Sequence, residues 1–240
     1  MPATTNLLLP ITIILTGVVL SIVFKKLTIS AAITGGLCAI LLTLSAGYTG
    51  LILLTVFFLL GTLATAWEKE KKQRLKAAEA DGGQRKAGQV LANAGVAAIA
   101  GAMALIFPPL IDSCRLMIGA GFAAATADTL SSELGMVYGR RFFNISTFKA
   151  DQAGLDGVVS VEGTLIGFVG SIVIASIYAA GFGFNSQFFI LLAAGTLGNL
   201  TDSVLGAVLE RKGVLQNNAV NFLNTLAAAG FALLLKILLR

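Results

Sequence analysis

The chain has no histidine among its 240 residues and only two cysteines. The missing imidazole removes the commonest general base, the Ser-His triads and His-ligated metal sites. Two cysteines are too few for a zinc or iron–sulfur site. Cys38 and Cys114 fall in apolar runs without metal or redox spacing and read as packing residues. Charge is scarce as well: Asp, Glu, Lys and Arg make up 12% of the chain, against about 25% in a soluble domain. Neither a Gly-x-x-x-x-Gly-Lys-Ser/Thr run nor a kinase Gly-rich loop occurs, so phosphate chemistry here would not use the common soluble folds. Any metal must be a hard cation held by carboxylates, such as magnesium.

What is abundant is apolar side chain: 56% of residues are hydrophobic and the mean hydropathy is +0.88. That composition places the chain among integral membrane proteins. A spanning helix needs about 20 mostly apolar residues. The sequence predicts spans over Leu7–Phe24, Ile29–Ala46, Tyr48–Ala66, Val90–Phe107, Leu116–Leu134, Val161–Ala180, Gln187–Leu209 and Ala219–Leu239. The expected fold class is all-α, a polytopic bundle of about eight transmembrane helices. It forms one membrane domain: three N-terminal helices in 1–66, a basic loop at 67–89 and a five-helix portion at 90–240. The connections that then share one side carry Lys25, Lys26, Lys69, Lys71, Lys72, Arg74, Lys76, Arg85, Lys86, Arg140, Arg141, Lys149, Arg211 and Lys212, fourteen of the seventeen basic residues. Basic residues stay cytoplasmic, so both termini are expected on the non-cytoplasmic side. The net charge of +5 follows from this sorting and gives no support to nucleic-acid binding. The stretch 67–86, which mixes Glu68, Glu70 and Glu79 with Lys and Arg, reads as a solvated cytoplasmic helix and loop.

Against this background the polar residues of the spans stand out. An ionisable group at bilayer depth costs roughly 2.5–3.5 kcal/mol on insertion scales and is functional by default. Gln89 and Asn93 open the fourth span, and Asp128, Ser131, Ser132 and Glu133 close the fifth. Glu162 and Thr164 open the sixth, Asn199, Asp202 and Ser203 lie late in the seventh, and Asn217, Asn218, Asn221 and Asn224 open the eighth. Five helices thus bring polar ends to one membrane face, and polar groups gathered at one level without water need partners there. Asp128, Ser131, Ser132 and Gly135 share a helix face; Asn199, Asp202, Ser203 and Gly206 repeat the spacing. Glu133 falls off the Asp128 face and needs a different job. Single Asn residues often only glue helices together, but a lone carboxylate is poor glue unless a cation sits beside it. The loop between the fifth and sixth spans adds Arg140, Arg141, Lys149 and Gly157, and leads into Ser160-Val-Glu162-Gly163-Thr164. A helix N-terminus with glycines and basic side chains nearby suits a phosphate. The bland alternatives are a flexible basic loop, and small-residue packing for Gly163, Gly167 and Gly170.

At these residues the chain resembles the membrane CTP-dependent lipid kinases, dolichol kinase and phytol kinase, and more closely the phytyl-phosphate kinase family of integral membrane proteins. The resemblance rests on Asp128-Thr-Leu-Ser-Ser-Glu133-Leu-Gly135, the basic loop, and Gly157-Val-Val-Ser160-Val-Glu162-Gly163-Thr164. Gln89-Val-Leu-Ala-Asn93, Thr201-Asp202-Ser203-Val-Leu-Gly206 and Asn217-Asn218-Ala-Val-Asn221 extend it over about residues 85–230. It implies transfer of a nucleotide phosphate, from CTP or another nucleoside triphosphate, to an isoprenoid monophosphate such as phytyl, geranylgeranyl or farnesyl phosphate, with magnesium, at the cytoplasmic face. The implied roles are Asp128, Glu162 and Asp202 as magnesium ligands, with Glu133 beside them in the catalytic set. Arg140, Lys149, Gly157, Ser160, Gly163 and Thr164 would take the nucleotide phosphates. Gln89, Asn93, Ser132, Asn217, Asn218 and Asn221 would orient substrate. The implied partners are the lipid and the nucleotide, with homo-oligomerisation open. Two rivals share these residues. A cytidylyltransferase making a CDP-lipid would use similar acids on the same face. A transporter would explain a weak internal repeat, Gly121-x₆-Asp128 and Gly195-x₆-Asp202.

Overall fold

The computed structural model describes residues 7–75 and 84–239 and is almost wholly helical. Its elements are α1 (Leu8–Val23), α2 (Ile29–Ala66), α3 (Lys69–Leu75), α4 (Ala87–Ile106), α5 (Ile111–Tyr138), α6 (Val161–Phe182), α7 (Ser186–Leu205) and α8 (Asn217–Leu238). A five-residue π-helical turn, Gly206–Glu210, continues α7. The two short strands β1 (Phe143–Asn144) and β2 (Val158–Val159) pair antiparallel within the loop between α5 and α6. Lys76 and Glu79, read from sequence as part of the solvated 67–86 stretch, lie outside the described residues. Several helix starts are fixed by side-chain caps that satisfy otherwise orphaned N–H groups. The Thr28 hydroxyl accepts from Ala31 N (3.2 Å), Ser160 from Gly163 N (3.1 Å) and the Asn185 amide oxygen from Gln187 N (2.8 Å).

Among the described residues six helical segments are long and apolar enough to cross a bilayer: Ile29–Ala66, Ala87–Ile106, Pro108–Tyr138, Val161–Phe182, Ser186–Glu210 and Asn217–Leu238. The first is not one rod. Gly47 has φ 63° and ψ −152°, a region open in practice only to glycine. A Cβ placed on Gly50 would lie 2.6 Å from the Leu42 carbonyl oxygen, eight residues back, so the chain has doubled over. Near its two ends, Thr28 N donates to the Arg85 carbonyl (3.1 Å) while Gly61 lies against the Arg85 guanidinium. A straight helix would hold residues 28 and 61 about 50 Å apart. The segment is therefore a helical hairpin with arms 29–46 and 48–66, as the turn at Ala46-Gly47-Tyr48 suggests. With the 16-residue α1, shorter than the usual span, the described residues hold eight apolar arms.

The fifth helix is the axis. It packs against α2, α4, α6, α7 and α8, and every residue from Ile118 to Ala127 is buried. That stretch is mostly Ala and Gly, which lets the surrounding helices approach closely. It extends beyond the predicted 116–134, reaching Tyr138. The basic connections gather at one end of the bundle. Strand-like pairing joins Leu27 to Arg85, the Trp67 indole N–H donates to Tyr138 (2.9 Å), and Asp151 pairs with Arg211. At the other end Arg115 reaches the Ser45 carbonyl and stacks over Phe182, and Lys236 donates to Ser113. Gly47→Ala should lower the melting temperature in detergent, reflecting a cost of about 1–3 kcal/mol for a strained backbone; the space around its Cβ is open, so an unchanged melt would show that the turn itself is unconstrained.

Candidate functional site

The two carboxylates singled out by sequence meet. Asp128 on α5 and Asp202 on α7 lie within hydrogen-bonding reach of each other. The repeat explains how. In α5 and α7 the Gly-x₆-Asp segments run the same way and are packed together: Gly195 approaches Ala123 and Gly198 approaches Ala124, so equal spacing brings both acids to one level. Two carboxylates so placed repel unless a proton or cation stands between them. Asn224 of α8 joins the pair, its Nδ2 donating to Asp202 (3.4 Å). The Asn224 Oδ1 is buried and has no hydrogen-bond partner among the described residues. Glu210 and Asp156 add negative potential nearby, the former toward Asp128 and the latter toward Asp202. The pair itself offers only carboxylate oxygens, with the Asn224 amide N–H steadying one of them, and two facing acids fit a hard cation.

Glu162 is not part of that pair. Among the described residues no three acidic groups converge to hold a metal, and the Glu162 carboxylate instead faces the Arg140 backbone N–H (3.4 Å). The expected three-carboxylate set thus reduces to Asp128 and Asp202. Magnesium commonly binds through one or two carboxylates, with water and phosphate completing its sphere, so the reduction does not remove the fit.

Glu133 has the different job that its helix face implied. Its carboxylate pairs with Lys72 of α3 at 2.6 Å and accepts from the Thr65 hydroxyl at 3.2 Å. The Lys72 ammonium also donates to the Ala64 and Thr65 carbonyls at the C-terminal end of α2 (2.7 and 2.9 Å). Only 6% of the Lys72 side chain is exposed, so this one residue departs from the solvated reading of a stretch whose residues 67–71 are exposed, and it pins α3 onto the end of α5. Lys71 strengthens the seam by donating to the Val137 carbonyl (2.8 Å).

The residues expected at the nucleotide phosphates divide. Arg140 and Lys149 are exposed at the rim. Gly157 (φ +72°) presses against Ala207 so closely that a Cβ would collide with its backbone, and so docks the 139–160 loop on the π-helical turn. Ser160 caps α6, Thr164 donates back to the Ser160 carbonyl (3.0 Å), and Gly163, Gly167 and Gly170 line the crossing of α6 with α5. For these the packing alternative describes what they do. Of the substrate-orienting candidates, Gln89 caps α4 by accepting from Lys86 N (2.8 Å), and Asn93 donates to the Gln89 carbonyl (3.0 Å). Asn217 and Asn221 are joined to each other at 3.4 Å, Asn218 meets the start of α4 at Gly88, and Ser132 is exposed with its hydroxyl turned to the Thr129 carbonyl. Sequence reasoning gave no role to Arg85 or Lys72. Both were counted only as basic loop residues, although Arg85 stands four positions before Gln89 at the opening of α4.

With this geometry in view, comparison with known proteins gives the class and the family. The protein is an integral membrane protein. It belongs to the family described as Integral membrane protein DUF92, whose model matches residues 12–229. Similar relatives include an uncharacterized membrane protein of Methanocaldococcus jannaschii, 36% identical over 211 residues, covering 87% of this chain and 86% of that protein. Another from Synechocystis is 35% identical over 192 residues, covering 78% and 74%. The protein named VTE6, chloroplastic, of Arabidopsis thaliana is 28% identical over 200 residues, covering 79% of this chain and 59% of that protein. No solved structure matches.

Two outcomes are expected here. Glu133→Gln leaves the buried Lys72 ammonium without its carboxylate and should cost about 3 kcal/mol, read as a lowered melting temperature that Lys72→Met in the same chain partly restores. Asp151 gives a pH dependence. Its hydrogen bond with Arg211, supplemented by the Gln152 N–H, holds its carboxyl below the usual value. A lowered native value makes the tie fully present above about pH 4, the ordinary carboxylate range, and lost as pH falls through the Asp151 value. Hydrogen exchange in the 139–160 loop should therefore rise, at matched intrinsic rate, only below about pH 4. In Asp151→Asn it should be raised already at pH 7.

Proposed function

We propose that the protein is a magnesium-dependent membrane kinase that transfers the γ-phosphoryl group of a nucleoside triphosphate, CTP being the expected donor, to an isoprenoid monophosphate. The observation that carries this reading is the facing Asp128–Asp202 pair, to which the Asn224 amide donates. The motif resemblance to the phytyl-phosphate kinase family supports it.

In this reaction an oxygen of the acceptor phosphate attacks the γ-phosphorus. A new P–O–P bond forms, the bond from the γ-phosphorus to the bridging oxygen of the β-phosphate breaks, and nucleoside diphosphate leaves. The acceptor has a second pKa of about 6 and is already an anionic nucleophile near neutral pH. No general base is needed, which suits a chain without histidine. Phosphoryl transfer asks mainly for alignment and charge neutralisation. Asp128 and Asp202 would hold the magnesium ion, which supplies positive charge to phosphate oxygens when bound; Asn224 orients Asp202. Arg140 and Lys149 at the rim suit the polyphosphate of the nucleotide, on the cytoplasmic side where basic connections stay. The isoprenoid tail lies in the apolar surround of the helices with its head at the same level.

Purified protein with magnesium, radiolabelled CTP and farnesyl, geranylgeranyl or phytyl phosphate should yield the lipid diphosphate and CDP. Asp128→Asn should reduce turnover at least about 100-fold, the loss expected of a group stabilising developing charge, with its elution profile in detergent unchanged. An active Asp128→Asn would sink the metal assignment. Release of pyrophosphate with no nucleoside diphosphate would replace the kinase with a cytidylyltransferase.

A further inference from the structure

One cation at the same end of the bundle is not used by the chemistry described so far. Arg85 precedes α4, and its backbone is pinned on both sides: its N–H donates to the Lys26 carbonyl (3.0 Å) and its carbonyl accepts from Thr28 N (3.1 Å). The side chain runs inward between the second arm of α2 and the end of α5. A Cβ placed on Gly61 would lie 3.1 Å from one guanidinium nitrogen, 3.5 Å from another, and 3.4 Å from the Thr129 methyl group. The guanidinium and the Thr129 methyl thus both lie against Gly61, which sets the fork beside the stretch of α5 that carries Asp128. Among the described residues it has no hydrogen-bond acceptor and makes no ion pair within 4.0 Å; the Glu133 carboxylate interacts with it only at longer range and is held by Lys72 at 2.6 Å. Burial pushes the Arg85 guanidinium below its ordinary value, and Glu133 pulls it back up.

The local charge count is telling. Two cations, Lys72 and Arg85, share one carboxylate, Glu133, on the side of α5 adjoining α2. On the side adjoining α7, Asp128 and Asp202 face each other without a cation among the described residues. An excess positive group beside an excess negative pair is completed by a metal ion on the acids and an anion on the guanidinium. Five N–H donors in a planar fork, half-buried and backed by a pinned main chain, suit a phosphate above other anions.

We propose that Arg85 is the phosphate anchor of this site, with its fork on the phosphate that lies next to Asp128; the assignment rests on the kinase reading and names a residue for it. The phosphate is either that of the lipid acceptor or one belonging to the nucleotide, and binding separates the two. Dissociation constants would be measured for full-length protein in detergent with farnesyl phosphate, with farnesol and with CTP, for the wild type, Arg85→Gln, Arg85→Lys and Gly61→Ala. The expected result is that wild type binds farnesyl phosphate at least about tenfold tighter than farnesol. Arg85→Gln should lose about 10- to 100-fold for the phosphate that Arg85 holds, with farnesol binding unmoved. Arg85→Lys should recover part of that loss, because it keeps the charge without the fork. Gly61→Ala adds a methyl closest to the guanidinium tip, with the Thr129 methyl at ordinary contact distance, and should weaken the same ligand; it decides the matter if Arg85→Gln does not fold. If folded Arg85→Gln, or Gly61→Ala in its place, binds farnesyl phosphate and CTP as wild type does, the anchor is elsewhere and the inference is overturned, while the kinase reading survives. If wild type does not distinguish farnesyl phosphate from farnesol but its CTP binding depends on Arg85, the anchor stands and the isoprenoid-phosphate reading falls. If wild type binds neither phosphate, both fall.

Discussion

Two carboxyl groups facing each other inside a helical membrane bundle are the constraint around which the structure is organised. Asp128 and Asp202 can hold that position only because α5 and α7 are packed side by side and run the same way. Parallel neighbours in an alternating chain require another helix to return between them, which is the part played by α6. Its glycines bring it against α5 at Ala127 and Ser131, so the returning helix braces the acid-bearing one. Asn224 then closes the third side from α8. A glycine stands at each crossing of α5 with α6 and α7, because side chains of ordinary size would hold the helices too far apart for the acids to meet.

The charges around this pair are divided by α5. Toward α7 lie the acids; toward α2 lie Lys72, Glu133 and Arg85. Lys72 does two jobs with one ammonium: it neutralises Glu133 and occupies carbonyls at the end of α2. A helix C-terminus carries partial negative charge and welcomes a cation, so the seam between α2 and α5 is electrostatic on both sides of the ammonium. The 139–160 loop is tied down separately, through Asp151–Arg211 and the Gly157–Ala207 approach. The rim is thus made of two independently fastened pieces, α3 on one flank and the hairpin loop on the other.

Much of this was legible in the sequence. The all-α bundle followed from runs of apolar residues, the helical hairpin from Ala46-Gly47-Tyr48, and the paired acids from their cost and their matched spacing. The off-face position of Glu133 foretold a separate role, but its partner was not readable, because Lys72 sits in a charged stretch where most residues are solvated. Glu162 was grouped with the acids because it opens a helix at the same level; level along the bundle says nothing of azimuth around it, and Glu162 turns to the Arg140 backbone. Gly163 and Gly167 read as either phosphate cradle or packing, and only the closeness of α5 decides between them. Arg85, like Lys72, is hidden by the positive-inside pattern, which explains basic residues in bulk and so conceals those that turn inward.

The composition of α5 has a consequence for how the molecule is made. Of the segments long enough to cross a bilayer, the one containing α5 has the lowest mean hydropathy, 1.2, and the largest buried share. Surrounded on most sides by α2, α4, α6, α7 and α8, it has little need of lipid-loving side chains and carries a carboxylate besides. The helix that organises the finished protein is therefore the one that a bare bilayer receives least readily. During synthesis α2 and α4 precede it and α6 follows, so it enters a berth already half built by protein, and the acid it carries is sheltered by neighbours rather than by lipid from the start.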